Sequence, residues 1–232
     1  MQYILTQTIP QIREENPDAD IAITLEHPPE LEQFYDDIAA GLPMHVAVSN
    51  FIQQNGYDPA IAVGGDLEEV KNLVLAATTQ NVDLVAADVV VDMTSVLTTG
   101  NVDMNQRMTD DHKIYDYLQS QGYLDAGDIT IVVQGAAHLL TTDTTGFDDT
   151  AIAAGHDVVT MVILDSNATS PFVDNSELMD NIIQGIATEA GDLDQVDMYI
   201  FNGTLSSTPQ EFQNAINDYY GINSSTSENG AV

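Results

Sequence analysis

NLVLAATTQNVDLVAADVVVD (residues 72–92) and NIIQGIATEAGDLDQVDMYIFN (residues 181–202) are two copies of one pattern. Each begins with an asparagine, runs through an apolar stretch to Ala-Thr, breaks at polar residues and resumes as Asp-Leu-x-x-x-Asp. The aspartates are Asp83 and Asp88 in the first copy, Asp192 and Asp197 in the second. How this unit folds decides the fold class. Val70, Leu73, Val74 and Ala77 lie at helical spacing, as do Leu178, Met179, Ile182, Ile183, Ile186 and Ala187, so a helix leading into a strand fits. Against it, Gly185 inside a helix costs about 1 kcal/mol relative to Ala, and the Ala-Thr-Thr and Ala-Thr-Glu breaks suit turns. Two strands joined by a short polar loop fit both copies. The hairpin reading makes the chain mainly β; the helix–strand reading leaves an α/β three-layer fold as the alternative.

The second copy also contains the frame of a metzincin-type zinc site, H-E-x-x-H-x-x-G-x-x-H/D, with the wrong chemistry. Gln184, Gly185 and Thr188 stand at the His, Glu and His positions, and only Gly191 and Asp194 match. The first copy shows no trace of the frame, which makes it a by-product of the repeat.

Charge bounds function most sharply. Thirty-seven acidic residues face four basic ones, Arg13, Lys71, Arg107 and Lys113, for a net charge of −33. The hydrophobic fraction is an ordinary 44%, so the chain has a core to bury and an acidic skin rather than a disordered composition. Crowded carboxylates repel one another unless salt screens them, which predicts a halophilic setting. Four cations cannot neutralise a phosphate track, which argues against a direct nucleic-acid partner. With no cysteine there is no disulfide and no thiolate metal site. The start MQYILTQTIPQIREENPDAD lacks the basic and apolar regions of a secretory leader, and no stretch approaches the ~20 apolar residues of a membrane span.

Elsewhere ADIAITLEH (19–27), MHVAVSN (44–50), DITIVVQG (128–135) and HDVVTMVILD (156–165) read as strands. Helices are predicted over 29–40, closed by Gly41, and over 110–121, closed by Gly122. A third is predicted over 209–220, where Thr208 and Glu211 form a capping box around Pro209.

Little chemistry is visible. The histidines, His27, His45, His112, His138 and His156, are too far apart in sequence to form a local zinc pair. Gly64-Gly65-Asp66 is a turn and not a phosphate loop. Asp143, Asp148 and Asp149 in 141–149 could face calcium, but their spacing is no EF-hand and a solvated loop is the commoner meaning. Glu68-Glu69 and Asp110-Asp111 read as surface and helix starts. Asn167, Asn202 and Asn223 begin glycosylation sequons that matter only where such a system acts. No residue is nominated as catalytic, cofactor-binding or metal-binding, and no cofactor is expected.

The paired hairpins, the other strands and the helix DDHKIYDYLQS set between them resemble, over about 44–205, the single jelly-roll major capsid proteins of tailless, membrane-containing icosahedral haloarchaeal viruses. The resemblance lies in layout, size, acidic surface and a leaderless Met1 rather than in a motif. It implies a non-enzymatic structural virion protein, assembled in the cytoplasm of a halophilic host. Its barrel would stand in the capsid shell beside copies of itself or a related second capsid protein, over a viral membrane, and would bind no small-molecule substrate. On that reading 1–43 is a strand–helix arm, 44–221 the main β domain and 222–232 a flexible tail. Two rivals remain. PDADIAITLEHPPELEQFYDDIAAGLPMHVAVSN (17–50) is similar to the opening of secreted α/β oxyanion-binding proteins, although cations to hold an anion are scarce. The other rival is an inactive metzincin-like protein.

Overall fold

The computed structural model describes residues 5, 8–100, 110, 112–133, 147–159, 161–164, 198–201, 204–206, 208, 211, 214, 215 and 218. In chain order the elements are α1 (Ile9–Glu15), β1 (Ile21–Leu25), a 3-10 turn (Pro29–Leu31), α2 (Glu32–Ala39), α3 (Met44–Asn55), α4 (Pro59–Val63), α5 (Leu67–Thr79) and β2 (Asp83–Ala86). Then come α6 (Met93–Thr99), α7 (His112–Gln121), β3 (Ile129–Val132), α8 (Phe147–Ala153), β4 (Met161–Leu164), β5 (Met198–Phe201) and β6 (Thr204–Ser206). They fall into two units, one of residues 1–135 with 145–147, the other of 136–144 with 148–232.

The deciding stretch is a helix and a strand. Asp66 caps α5 by accepting the Glu68 N–H at 2.8 Å, and Glu68 and Glu69 place negative charge at the helix's positive end. Val70, Val74 and Ala77 form the buried stripe. The Ala-Thr-Thr segment does not turn. The Thr78 and Thr79 hydroxyls donate to the Val74 and Leu75 carbonyls one turn back, at 2.8 and 2.7 Å, so their polarity is absorbed within the helix. The chain reverses two residues later, where Asn81 takes a left-handed φ of 54° and the Val82 N–H returns to the Ala77 carbonyl at 3.0 Å. That is a Schellman-type helix end.

Three parallel strands form the first unit's sheet in the order β2-β1-β3. Ala22 sits between Asp83 on one side and Thr130 on the other. Parallel crossovers are right-handed almost without exception, so moving to opposite sides of β1 puts the two sets of helices on opposite faces. One face, carrying Ile21, Ile23, Leu25 and Ala86, packs on Phe34, Ile38, Phe51, Val70 and Val74 of α2, α3 and α5. The other, carrying Ala22, Val85 and Ala87, packs on Ile114 and Leu118 of α7. Burying both faces explains why all five residues of β1, Thr24 included, are buried. Each large apolar side chain so buried contributes about 1.5–3 kcal/mol.

In the second unit β4 runs parallel to β5, and β5 pairs antiparallel with β6. The Glu211 N–H reaches the Thr208 hydroxyl at 3.2 Å, as the capping box requires, and residues 211, 214, 215 and 218 are helical.

The mainly β, single jelly-roll expectation is therefore corrected. Among the described residues helices outweigh strands, the strands are short and mostly parallel, and the first unit is an open α/β three-layer arrangement. The hairpin over 72–92 fails because the threonines extend α5. The predicted strand at 44–50 fails because those residues begin α3, whose stripe continues to Phe51 and which ends at left-handed Gly56. Seven residues are too few to separate period 2 from period 3.6. The strands at 19–27, 128–135 and 156–165 hold as β1, β3 and β4, and the helices at 29–40 and 110–121 as α2 and α7. Within the expected N-terminal arm, β1 is the sheet's central strand. Of the second repeat only 198–201 is described, as β5; 181–197 and the tail at 222–232 lie outside the described residues. No described helix is long and apolar enough to cross a membrane.

Candidate functional site

Because β2 and β3 flank β1, the connections leaving the carboxyl ends of the strands part there, which is where open α/β sheets hold ligands. Three polar residues follow the strands at that end. β1 runs out into Glu26 and His27, and β2 into Asp88. The sheet's pairing continues beyond the strands: the Ala87 N–H donates to the Leu25 carbonyl at 3.1 Å and the Asp88 N–H to the His27 carbonyl at 2.9 Å. On the other side the Val133 N–H donates to the Thr24 carbonyl at 3.2 Å. Thr24, Leu25, Glu26, Ala87, Asp88, Ile114 and Val133 close over a seam with no internal room for a water molecule. Asp88 and Thr24 lie beneath it, 2% and 1% exposed, while Glu26 and His27 stand half-buried at its mouth.

α2 holds the mouth from one side. A hydrogen bond links His27 Nδ1 and the Tyr35 hydroxyl. Burial pulls the His27 pKa down against the opposing effect of Glu26, so the ring favours its neutral form. Tyr35 is pushed up by burial and then by Glu32, so its hydroxyl keeps its proton. One turn earlier, Glu32 Oε1 accepts the Ala86 N–H at 2.6 Å. Burial is the main cause that pushes the Glu32 carboxyl up to about 7. The Ala86 bond opposes the rise, and Asp36 and Asp83 add to it.

Among the described residues the site has no feature that would hold an anion. Pro28 and Pro29 occupy the turn where a phosphate-binding loop offers backbone N–H groups, and Glu30 and Glu32 add negative charge at the start of the helical segment. Arg13 lies at the sheet's opposite end, where its guanidinium donates to the Ala19 and Asn81 carbonyls at 3.3 and 2.8 Å. Lys71 pairs with Glu68 at 2.8 Å and Lys113 with Asp110 at 2.6 Å, each within its own turn. Arg107 lies outside the described residues.

No family model, curated protein or solved structure matches the chain.

Of the described residues singled out by sequence, the structure brings His27 and Asp88 to this end of the sheet. His45 is exposed on α3, His112 begins α7, His156 follows α8, and His138 lies outside the described residues. Among the described residues no three His, Asp or Glu side chains converge as a metal site. Asp148 and Asp149 sit in the first turn of α8, a helix start; Asp143 lies outside the described residues. So do Gln184, Gly185, Thr188, Gly191 and Asp194 of the metzincin frame, and the sequon asparagines Asn167, Asn202 and Asn223. Sequence reasoning missed the meeting of His27, Glu32 and Tyr35 with the β2 end. The available signal was a polar Glu-His-Pro-Pro directly after a buried strand, with glutamate and tyrosine one helical turn apart behind it.

Proposed function

We propose that the first unit is a binding module for a small polar solute, neutral or positively charged, at the carboxyl ends of its parallel strands. One observation carries the reading: the order β2-β1-β3 makes the connections diverge where Glu26, His27 and Asp88 meet. The absence of glycine from the first turn and the two prolines that carry no N–H there, with acids around them, argue against nucleotides and oxyanions as ligands. The seam is filled, so the ligand's place is the mouth, where Glu26 and His27 meet solvent. The rival oxyanion-binding expectation keeps its strand and helix but loses its second strand, since 44–50 is helical. The capsid expectation drew its lattice partners and virion location from a jelly-roll barrel, and the described residues form no barrel to support it. The acidic surface supports work in concentrated salt under either reading.

The test is amide NMR of the whole chain in 2 M KCl during titration with choline, glucose and inorganic phosphate. Shifts at Glu26, His27 and Asp88 with choline or glucose, and none with phosphate, support the reading. Silence at those residues, together with a protein found only as a large regular assembly, would return the account to a structural role.

A further inference from the structure

One backbone N–H on the outer side of β2 is taken by a side chain. β2 is an edge of the described three-stranded sheet. Its Ala87 N–H points inward to the Leu25 carbonyl, whereas the preceding Ala86 N–H points away from β1 and is taken by Glu32 Oε1 at 2.6 Å. An exposed edge N–H would otherwise meet water or another strand. From Ala86 the chain passes straight to Ala87 and Asp88 in the seam.

Every charge acting on this carboxyl is negative. Asp36 reaches it from its own helix and Asp83 from β2. Tyr35 on α2, Tyr117 on α7 and Tyr123 beyond α7 surround it closely enough for its charge to raise their own pKa values. Ionised Glu32 is thus half-buried among acids and phenols, with the Ala86 N–H as its hydrogen-bond donor among the described residues.

We propose that Glu32 is a proton-responsive clasp on the edge of β2, closed over Ala86 when the carboxyl is neutral and released to water when it ionises. A closed carboxyl that titrates at about 7 binds its proton more tightly than a released one near 4.5. By linkage the closed form is therefore favoured as pH falls and loses its advantage as pH rises through 7. The neutral acid still offers Ala86 a carbonyl oxygen, so protonation removes the cost of burying a charge, and then the repulsion from Asp36 and Asp83, without removing the acceptor. The proposal stands whether or not the mouth binds a solute, since it concerns the protein alone.

The experiment is amide hydrogen exchange at Ala86 and Asp88 in the full chain at constant molar salt, corrected for the intrinsic pH dependence of exchange. Between pH 6 and pH 8 the opening equilibrium is expected to rise about tenfold. Glu32→Gln, neutral at both pH values and still an acceptor, should abolish that rise. Independently, the Glu32 carboxyl carbon shift in the unaltered protein should titrate with a midpoint raised clearly above 4.5 toward 7. Protection at Ala86 that is flat with pH, a tenfold rise that persists in Glu32→Gln, or a carboxyl midpoint near 4.5 would each overturn the clasp.

Discussion

Phe51 is the sharpest probe of the helical layer, because its place depends on α3 being a helix. It is 1% exposed. Its ring meets Phe34 edge-on at 6.3 Å and Tyr57 at 5.2 Å, with interplanar angles of 77° and 88°. Phe51→Ala removes that buried area and leaves a cavity, at a cost of about 3–5 kcal/mol. For a chain of this size that is roughly a 10 °C fall in melting temperature. Urea titration in 2 M KCl should show the loss as a lower midpoint at unchanged slope. A companion pair separates helix from strand. On a strand residues 47, 49 and 51 would share a face, whereas here Ala47 is wholly buried and Ser49 exposed. Ala47→Leu should cost about 1–3 kcal/mol by overpacking, and Ser49→Leu should stay within about 0.5 kcal/mol. Equal effects at 47 and 49, or a Phe51→Ala cost below about 1 kcal/mol, would refute the helical assignment of 44–55.

Diluting from molar KCl to ~0.1 M lengthens the screening distance from ~3 to ~10 Å. With 37 acids against 4 bases, the restored repulsion is on the order of 10 kcal/mol. Unfolding or dissociation should follow, partly rescued toward pH 4, and a melting temperature flat across that range would end the halophile reading. His27, whose pKa is lowered by burial, should make stability fall as pH drops below about 6.5. His27→Gln should flatten that acid limb, and Tyr35→Phe should cost about 1 kcal/mol by removing its hydroxyl partner. Gly56 ends α3 at φ 80° with open space where a Cβ would go. Gly56→Ala should therefore cost about 1–2 kcal/mol from backbone strain alone, read as a lower urea midpoint.

Much of the first unit was legible because strong local signals stood alone. β1 and β3 are runs of β-branched residues bounded by polar ones, and α7 lies between acids and a glycine. The errors came where one local pattern admits two structures. In 66–79 the threonines look like a turn until their hydroxyls are seen to fold back onto the helix, and the Asp66 cap and the left-handed Asn81 were the better signals. In 44–50 a seven-residue alternation hid a stripe that becomes clear only at Phe51. The site was illegible for a different reason. Asp88 meets the His27 carbonyl and Glu32 meets Ala86 across about sixty and fifty residues of chain, and only the sheet order brings them together.

The account rests on β1 lying between two parallel neighbours, and backbone NOEs in a deuterated sample test that directly. The structure predicts cross-strand amide contacts from 22–25 to 83–86 on one side and from 21–24 to 129–132 on the other, with sequential helical contacts throughout 67–79. Antiparallel contacts between 72–79 and 83–92, with no link from 22–25 to 83–86, would restore the hairpin and contradict the fold, the site and the clasp together.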